Sequence, residues 1–316
     1  MKTDVTIKDI AEALGIHHAT VSRALKGNKK VKEETRQLVL EKANELGYMP
    51  NILAQSFRNK RMNIITIIVP DLKHHFFSRF VSDITELAHS RGFMTMIFQS
   101  NDDPDIEKKI LESLISLRVA GIAASIGLKT TSTDHFNILK DESIPLVFFD
   151  RAPLNTRFST CILDNYRAIY TLVDEMIKRG RKNIAYISYD SHLKVFTDRL
   201  AGYKKAVSDA GLSYMKYVSV KQMFIDDGYN IGPSLFNTEE RPDAIICVND
   251  EVAIGVMKYL KANRYSIPRD ISLAAFDNNP LGTACEPELT TFSQSTEVLA
   301  EVTFELLSEQ ITNKEE

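Results

Sequence analysis

Cysteine is scarce in this chain: Cys161, Cys247 and Cys285 stand far apart among 316 residues, with no Cys-x-x-Cys spacing. That excludes a disulfide framework and a structural zinc site and leaves buried free thiols as the reading. Long apolar runs are also missing. No stretch reaches the roughly 18 apolar residues of a membrane span, and the opening residues lead into an amphipathic segment rather than a signal-peptide core. The expected location is the cytoplasm, with no membrane partner. The glycines form no Gly-x-Gly-x-x-Gly, no Walker-type loop and no Gly-x-Ser-x-Gly elbow, so enzymatic readings have little to stand on. His17-His18 and His74-His75 are adjacent pairs whose side chains diverge on a helix or strand, and neither has a carboxylate or third histidine at ligand spacing. No metal and no cofactor is expected.

What is present is an ordinary globular composition, 44% apolar and 26% charged, at a length that suggests two or three domains. The net charge of −3 hides an asymmetry. Through Arg61 there are twelve Lys/Arg against seven Asp/Glu, and 27 against 35 in the remainder. An acidic body repels polyanions, so any nucleic-acid contact belongs to the basic amino-terminal segment. Charge alone fits a solvated face equally well, and spacing has to decide.

Thr6 followed by Asp9 resembles a capping box, and Ile7, Ile10, Ala11 and Leu14 fall on one face of a short helix that Gly15 stops. Val21 and Leu25 then pair at i, i+4, and a third helix from about Glu33 turns Val39, Ala43 and Leu46 inward before Gly47. Two short helices about a tight glycine turn make a helix-turn-helix, which exposes the first turn of its second helix to base edges in a major groove. Here that turn offers His17, His18 and Ala19. Thr20, Ser22, Arg23 and the loop around Asn28 carry donors suited to phosphates or, for Arg23, to a bidentate guanine contact. A small helical domain that binds protein is the alternative. Residues 50–58 read as one or two helical turns, too short to stand alone in water, so a twin in a dimer lying in the minor groove would support them. Leu53 and Phe57 share a face there, with Phe57 a candidate wedge between base steps; a plain linker with a buried Phe is the competing reading.

From Ile64 onward, short β-branched or apolar runs alternate with helical stretches, first over Ile64–Phe149 and again over Asn165–Phe276. A βα alternation predicts parallel sheets covered on both faces, here as two similar lobes. Ligands of such sheets lie beyond the carboxyl ends of the strands. Phe76, Phe77, Asp150, Arg199, Asn249 and Asp277 follow those ends. Carboxylates, an amide and a guanidinium can pair with neighbouring hydroxyls while an aromatic ring covers the apolar face of a pyranose. Strand-end capping or lobe-to-lobe salt bridges would explain the same residues.

Thr6-Ile7-Lys8-Asp9-Ile10-Ala11, Ala19-Thr20-Val21-Ser22-Arg23-Ala24-Leu25, Leu46-Gly47-Tyr48-Met49-Pro50-Asn51 and Ile68-Val69-Pro70-Asp71 together resemble the LacI/GalR family of bacterial transcription regulators. The likeness continues through Phe149-Asp150-Arg151, Asp198-Arg199-Leu200-Ala201-Gly202-Tyr203, Val248-Asn249-Asp250 and Phe276-Asp277-Asn278. It implies an all-α headpiece over residues 1–61, with its hinge helix, and a two-lobe, periplasmic-binding-protein-like α/β body over 62–316. It also implies a homodimer on a double-stranded, near-palindromic operator, with a small-molecule effector, a sugar or sugar phosphate, between the lobes. Thr6, Thr35, Tyr48, Asn51 and Ala54 join the DNA-facing residues on this ground, and Arg199, Asn249 and Asp277 are the strongest effector candidates. Purine-responsive members of the family and solute-binding receptors of the same body remain the alternatives. The chain departs from the family pattern at His17 for a Ser cap, Phe57 for Leu, His74-His75 for Asn-Pro and Gln294-Ser295 for Gln-Pro.

Overall fold

The computed structural model describes residues 5–25, 27, 28, 30–48 and 62–313. The chain divides into two compact units, Met1–Met62 and Asn63–Glu316. The hinge residues named above, Asn51, Leu53, Ala54 and Phe57 included, lie outside the described residues.

The amino-terminal unit is built from α1 (Ile7–Leu14), α2 (His18–Leu25) and α3 (Glu33–Glu45). Asp9 accepts from the Thr6 amide at 2.6 Å and the Thr6 hydroxyl at 2.8 Å, and these bonds hold its carboxyl below the usual range. Gly15 sits at φ 62°, a left-handed turn that reverses the chain between α1 and α2 at no side-chain cost. Ile10, Val21 and Val39 are wholly buried at the centre, with Ala11, Ala24 and Ala43 around them. Six side chains of that size make a thin core, so the short helices depend on one another.

In the larger unit, β1 (Ile64–Val69), β2 (Met94–Gln99), β3 (Gly121–Ala124), β4 (Leu146–Phe149) and β5 (Ser159–Cys161) form a parallel sheet ordered β2-β1-β3-β4-β5. Helices α4 (His75–Ser90), α5 (Pro104–Leu117) and α6 (Ile138–Asp141) connect it. The second lobe runs α7 (Asn165–Lys178), β6 (Ile184–Tyr189), α8 (Lys194–Asp209), β7 (Lys216–Val220), α9 (Ile225–Phe236), β8 (Ala244–Cys247), α10 (Asp250–Ala262), β9 (Ser272–Phe276) and β10 (Thr290–Phe292). Its sheet is also parallel, ordered β10-β9-β8-β6-β7. The final helix α11 (Thr296–Thr312) returns to the first lobe, where Phe304, Leu307 and Ile311 enter its core.

The central strands are covered on both faces and read as continuous apolar runs: every residue of β1, β3, β4, β8 and β9 is buried. The edge strands β2 and β7 mix exposed with partly exposed positions, and only Val220 at the end of β7 is buried. In each sheet the strand order reverses after the first strand of the lobe, β1 or β6. That reversal opens a crevice at the carboxyl ends, and the two crevices together form the interlobe cleft. Among the described residues no helix is long and apolar enough to cross a membrane.

Candidate functional site

In the helical unit, the start of α2 is shaped by an unusual cap. The Ala19 amide donates to His17 Nδ1 at 3.3 Å, so the His17 ring does the work a Ser or Asp oxygen does elsewhere. Its ring centroid is 4.2 Å from that of His18. This makes His17 first a helix cap, and leaves exposed His18 and half-exposed Ala19 and Thr20 as the outward face of the first turn. Arg23 is exposed one turn on. Asn28 Oδ1 accepts from the Lys30 amide at 2.9 Å and so fixes its own loop. Tyr48 packs against the headpiece core, and Thr35 lies half-exposed in the first turn of α3.

All six residues expected to face a ligand line one interlobe cleft of about 430 Å³, part of it open to solvent: Phe76, Phe77, Asp150, Arg199, Asn249 and Asp277. They arrive there by parallel routes. Asp150 is one residue past β4 at φ 53° and donates its amide to Cys161 O, the end of the neighbouring strand, at 3.1 Å. Asp277 is one residue past β9 at φ 103° and donates its amide to Phe292 O, the end of β10, at 3.0 Å. Each lobe thus bends its backbone into a strained region to aim one carboxylate inward. Burial pushes both carboxyls up; Arg151 and Arg199 pull Asp150 back, and Arg199 does the same for Asp277.

Arg199 is 4% exposed on α8. Its Nε donates to Asn165 Oδ1 at 2.8 Å, one terminal nitrogen donates to Val248 O at 3.0 Å, and the guanidinium lies 4.1 Å from the Phe276 ring centroid. Gln294, on the segment returning to α11, donates to Asp277 Oδ1 at 2.6 Å. Asn249 reaches the cleft wall, yet its amide is engaged at both ends. Oδ1 caps α10 by accepting from the Val252 amide at 2.9 Å, and Nδ2 donates to Met223 O at 2.9 Å. It therefore retains one N–H and one lone pair for a ligand. Phe76 and Phe77 both belong to the first lobe's core while lining the cleft, rather than dividing those duties between them.

Sequence reasoning missed His74, Arg151, Phe196 and Gln294 as lining residues. Arg151 directly follows Asp150, so the strand-end rule could have reached it. His74 and Gln294 sit at two of the positions where the chain departs from the family pattern. Asp103 is the helix cap, accepting from the Asp105 amide at 2.8 Å, whereas Asp102 bonds the Leu128 amide and Arg151.

Asp250, beside Asn249, is 1% exposed and accepts from the Asn279 amide and the Thr291 hydroxyl, each at 2.6 Å. Burial pushes its carboxyl up to about 7, against the opposing pull of those two bonds. The acid is thus weaker folded than unfolded, so its stabilising share is complete below the ordinary carboxylate range and is lost as pH rises through about 7. The thermal midpoint of the body should fall between pH 5 and pH 8, and Asp250→Asn, whose amide can serve the same two partners, should flatten that slope in a buffer series.

Residues 6–51 match the family model of bacterial regulatory proteins, lacI family, and residues 173–316 match that of a periplasmic binding protein-like domain. Catabolite control protein A of Priestia megaterium is 29% identical over 314 residues, spanning 99% of this chain and 94% of that protein. The HTH-type transcriptional repressor PurR of Mannheimia succiniciproducens is 28% identical over 312 residues, 98% of this chain and 93% of the relative. Among solved structures, the Lac repressor dimer bound to operator and the anti-inducer ONPF has a TM-score of 0.89 at 22% identity, covering 98% of this chain and 94% of that one. The regulator CelR in complex with cellobiose has a TM-score of 0.71 at 23% identity over 98% and 94% of the two chains. These structural likenesses establish the fold, a helix-turn-helix unit followed by an α/β body with two parallel sheets.

Proposed function

We propose that the chain is a LacI-family regulator rather than an enzyme, and specifically a homodimeric, effector-controlled repressor of carbohydrate genes, a reading supported by its two family matches and its full-length relatives. The observation that carries the effector half is the cleft. Two inward carboxylates, a buried guanidinium and two phenylalanines converge on one space, the mix of apolar wall and a few placed polar groups that small-ligand sites use. Asp150 and Asp277 favour a neutral polyhydroxylated molecule, which donates hydrogen bonds to both, over a sugar phosphate that would bring further negative charge beside them.

The DNA half rests on the basic amino-terminal segment and the outward first turn of α2. His18, Ala19, Thr20, Ser22 and Arg23 face the operator in this reading, with Thr6, Asn28, Thr35 and Tyr48 near phosphates. One such unit contacts few phosphates, and two of them on a near-palindromic site multiply the electrostatic and groove contacts. Asn51, Leu53, Ala54 and Phe57 would complete the interface.

A thermal-shift panel of neutral sugars, sugar phosphates and nucleobases tests the effector assignment. A neutral sugar at 100 times its Kd should stabilise the body by about 2.7 kcal/mol, seen as a rise of several degrees. A shift given only by nucleobases would move the reading to purine control.

A further inference from the structure

Glu107, on α5, is a carboxylate with no exposed surface, and the cleft does not use it. It accepts from the Gly127 amide at 2.7 Å, the Thr130 hydroxyl at 3.0 Å and His135 Nε2 at 3.0 Å. Buried carboxylates are costly unless their lone pairs are met, and here two donors from the 127–130 loop and one from the turn at 134–137 meet them. The same loop is gripped from a second side. Asn101 and Asp102 take left-handed φ of 55° and 57°, and a Cβ at Gly127 would lie 2.7 Å from Asp102 Cα. The loop and the turn are packed backbone to backbone.

The ends of this arrangement reach the cleft and the other lobe. Asp102 Oδ1 accepts from the Leu128 amide at 2.8 Å and from an Arg151 terminal nitrogen at 3.1 Å. Arg151 is 6% exposed, lines the cleft and lies 5.1 Å from the Phe77 ring of its own lobe and 5.9 Å from the Phe196 ring of the second. At the other end, the Thr130 carbonyl accepts from His192 Nε2 of the second lobe at 2.9 Å. One carboxylate oxygen therefore joins a cleft arginine to a loop that touches the opposite lobe.

We propose that the 127–130 loop is a latch between cleft occupancy and lobe contact. A ligand acceptor that draws Arg151 off Asp102 slackens the loop, and the Thr130 carbonyl releases His192. Arg151 binds in this scheme, whereas Asp102, Glu107 and Thr130 position. The inference rests on the cleft being the effector site, but its test uses the ligand-free full chain, so a failed effector panel and a failed latch are separate results.

Arg151→Met imitates withdrawal of the guanidinium. Amide exchange at Leu128 should rise at least roughly tenfold, and carbethoxylation of His192 by diethyl pyrocarbonate, slowed in the parent by the bond to Thr130, should rise about threefold. His89, exposed on α4, and the buried amide of Ala123 should keep parental rates. Should Arg151→Met also loosen Ala123, Asp102→Ala, which removes the shared acceptor, carries the test with the same two readouts. Parental His192 reactivity in the variant that leaves Ala123 protected overturns the latch, whatever Leu128 does.

Discussion

Asp277→Ala and Arg199→Ala should each lower effector affinity by at least about 30-fold, while the operator affinity of the ligand-free protein stays within about threefold. The first change removes a buried carboxylate and leaves Gln294 Nε2 without its 2.6 Å acceptor. The second removes the cation that opposes burial at both Asp150 and Asp277, which pushes both carboxyls further up. It also strands Asn165 and the Val248 carbonyl, two buried partners of the guanidinium. Losing one member of such a buried charged contact costs about 2–5 kcal/mol, which corresponds to the stated fold-change. Calorimetry with the best ligand of the panel measures the first quantity and anisotropy on operator DNA the second. Unchanged ligand affinity would remove both residues from the site.

The other large effect is on stability. Helices α9 and α10 pack with their backbones nearly touching: a Cβ at Gly255 would lie 1.9 Å from Ile225 O, and one at Gly228 would lie 2.0 Å from Val252 O. Neither obstacle is a side-chain tip that could swing aside. Gly255→Ala should cost about 3 kcal/mol, at the upper end for overpacking because backbone has to move, and Gly255→Val should prevent the second lobe from folding. For a body of this length the alanine change corresponds to a midpoint roughly 6–12 °C lower in a calorimetric scan. The same helices carry Phe224, Asn249 and Asp250 at their amino ends, so a splayed pair would also distort the cleft wall.

That packing explains one of the places where the sequence was hard to read. Gly228, Gly232 and Pro233 break the helical pattern of α9, yet the glycines are what allow its close approach to α10. Strands covered on both faces were legible because burial demands uniform apolar runs, as in Ile64–Val69 and Leu146–Phe149. The edge strand Lys216–Val220 and the three-residue strands β5 and β10 carry no such run, and each pairs along one side only, with β6, β4 and β9. Asp150, Asn249 and Asp277 were legible from position, since a residue just past a parallel strand has few other places to go, whereas Phe76, Phe77 and Arg199 lie within the helices that follow and stood out through the family resemblance and their chemistry. Their division of labour was not. Whether Asn249 spends its amide on Val252 and Met223, or Asp277 takes its bond from Gln294, depends on partners 3 to 26 residues away in sequence.

On the proposed function, a small molecule between the lobes changes how strongly the amino-terminal units hold a particular DNA site. The most direct measurement is fluorescence anisotropy of the full chain on a library of symmetric duplexes at physiological salt, with and without the ligands that stabilise the body. One duplex should be selected over random sequence by at least about 10³, and an active ligand should shift its Kd at least tenfold in the parent and not in Asp277→Ala. A ligand that binds the cleft tightly yet leaves the Kd of every duplex unchanged would contradict the account.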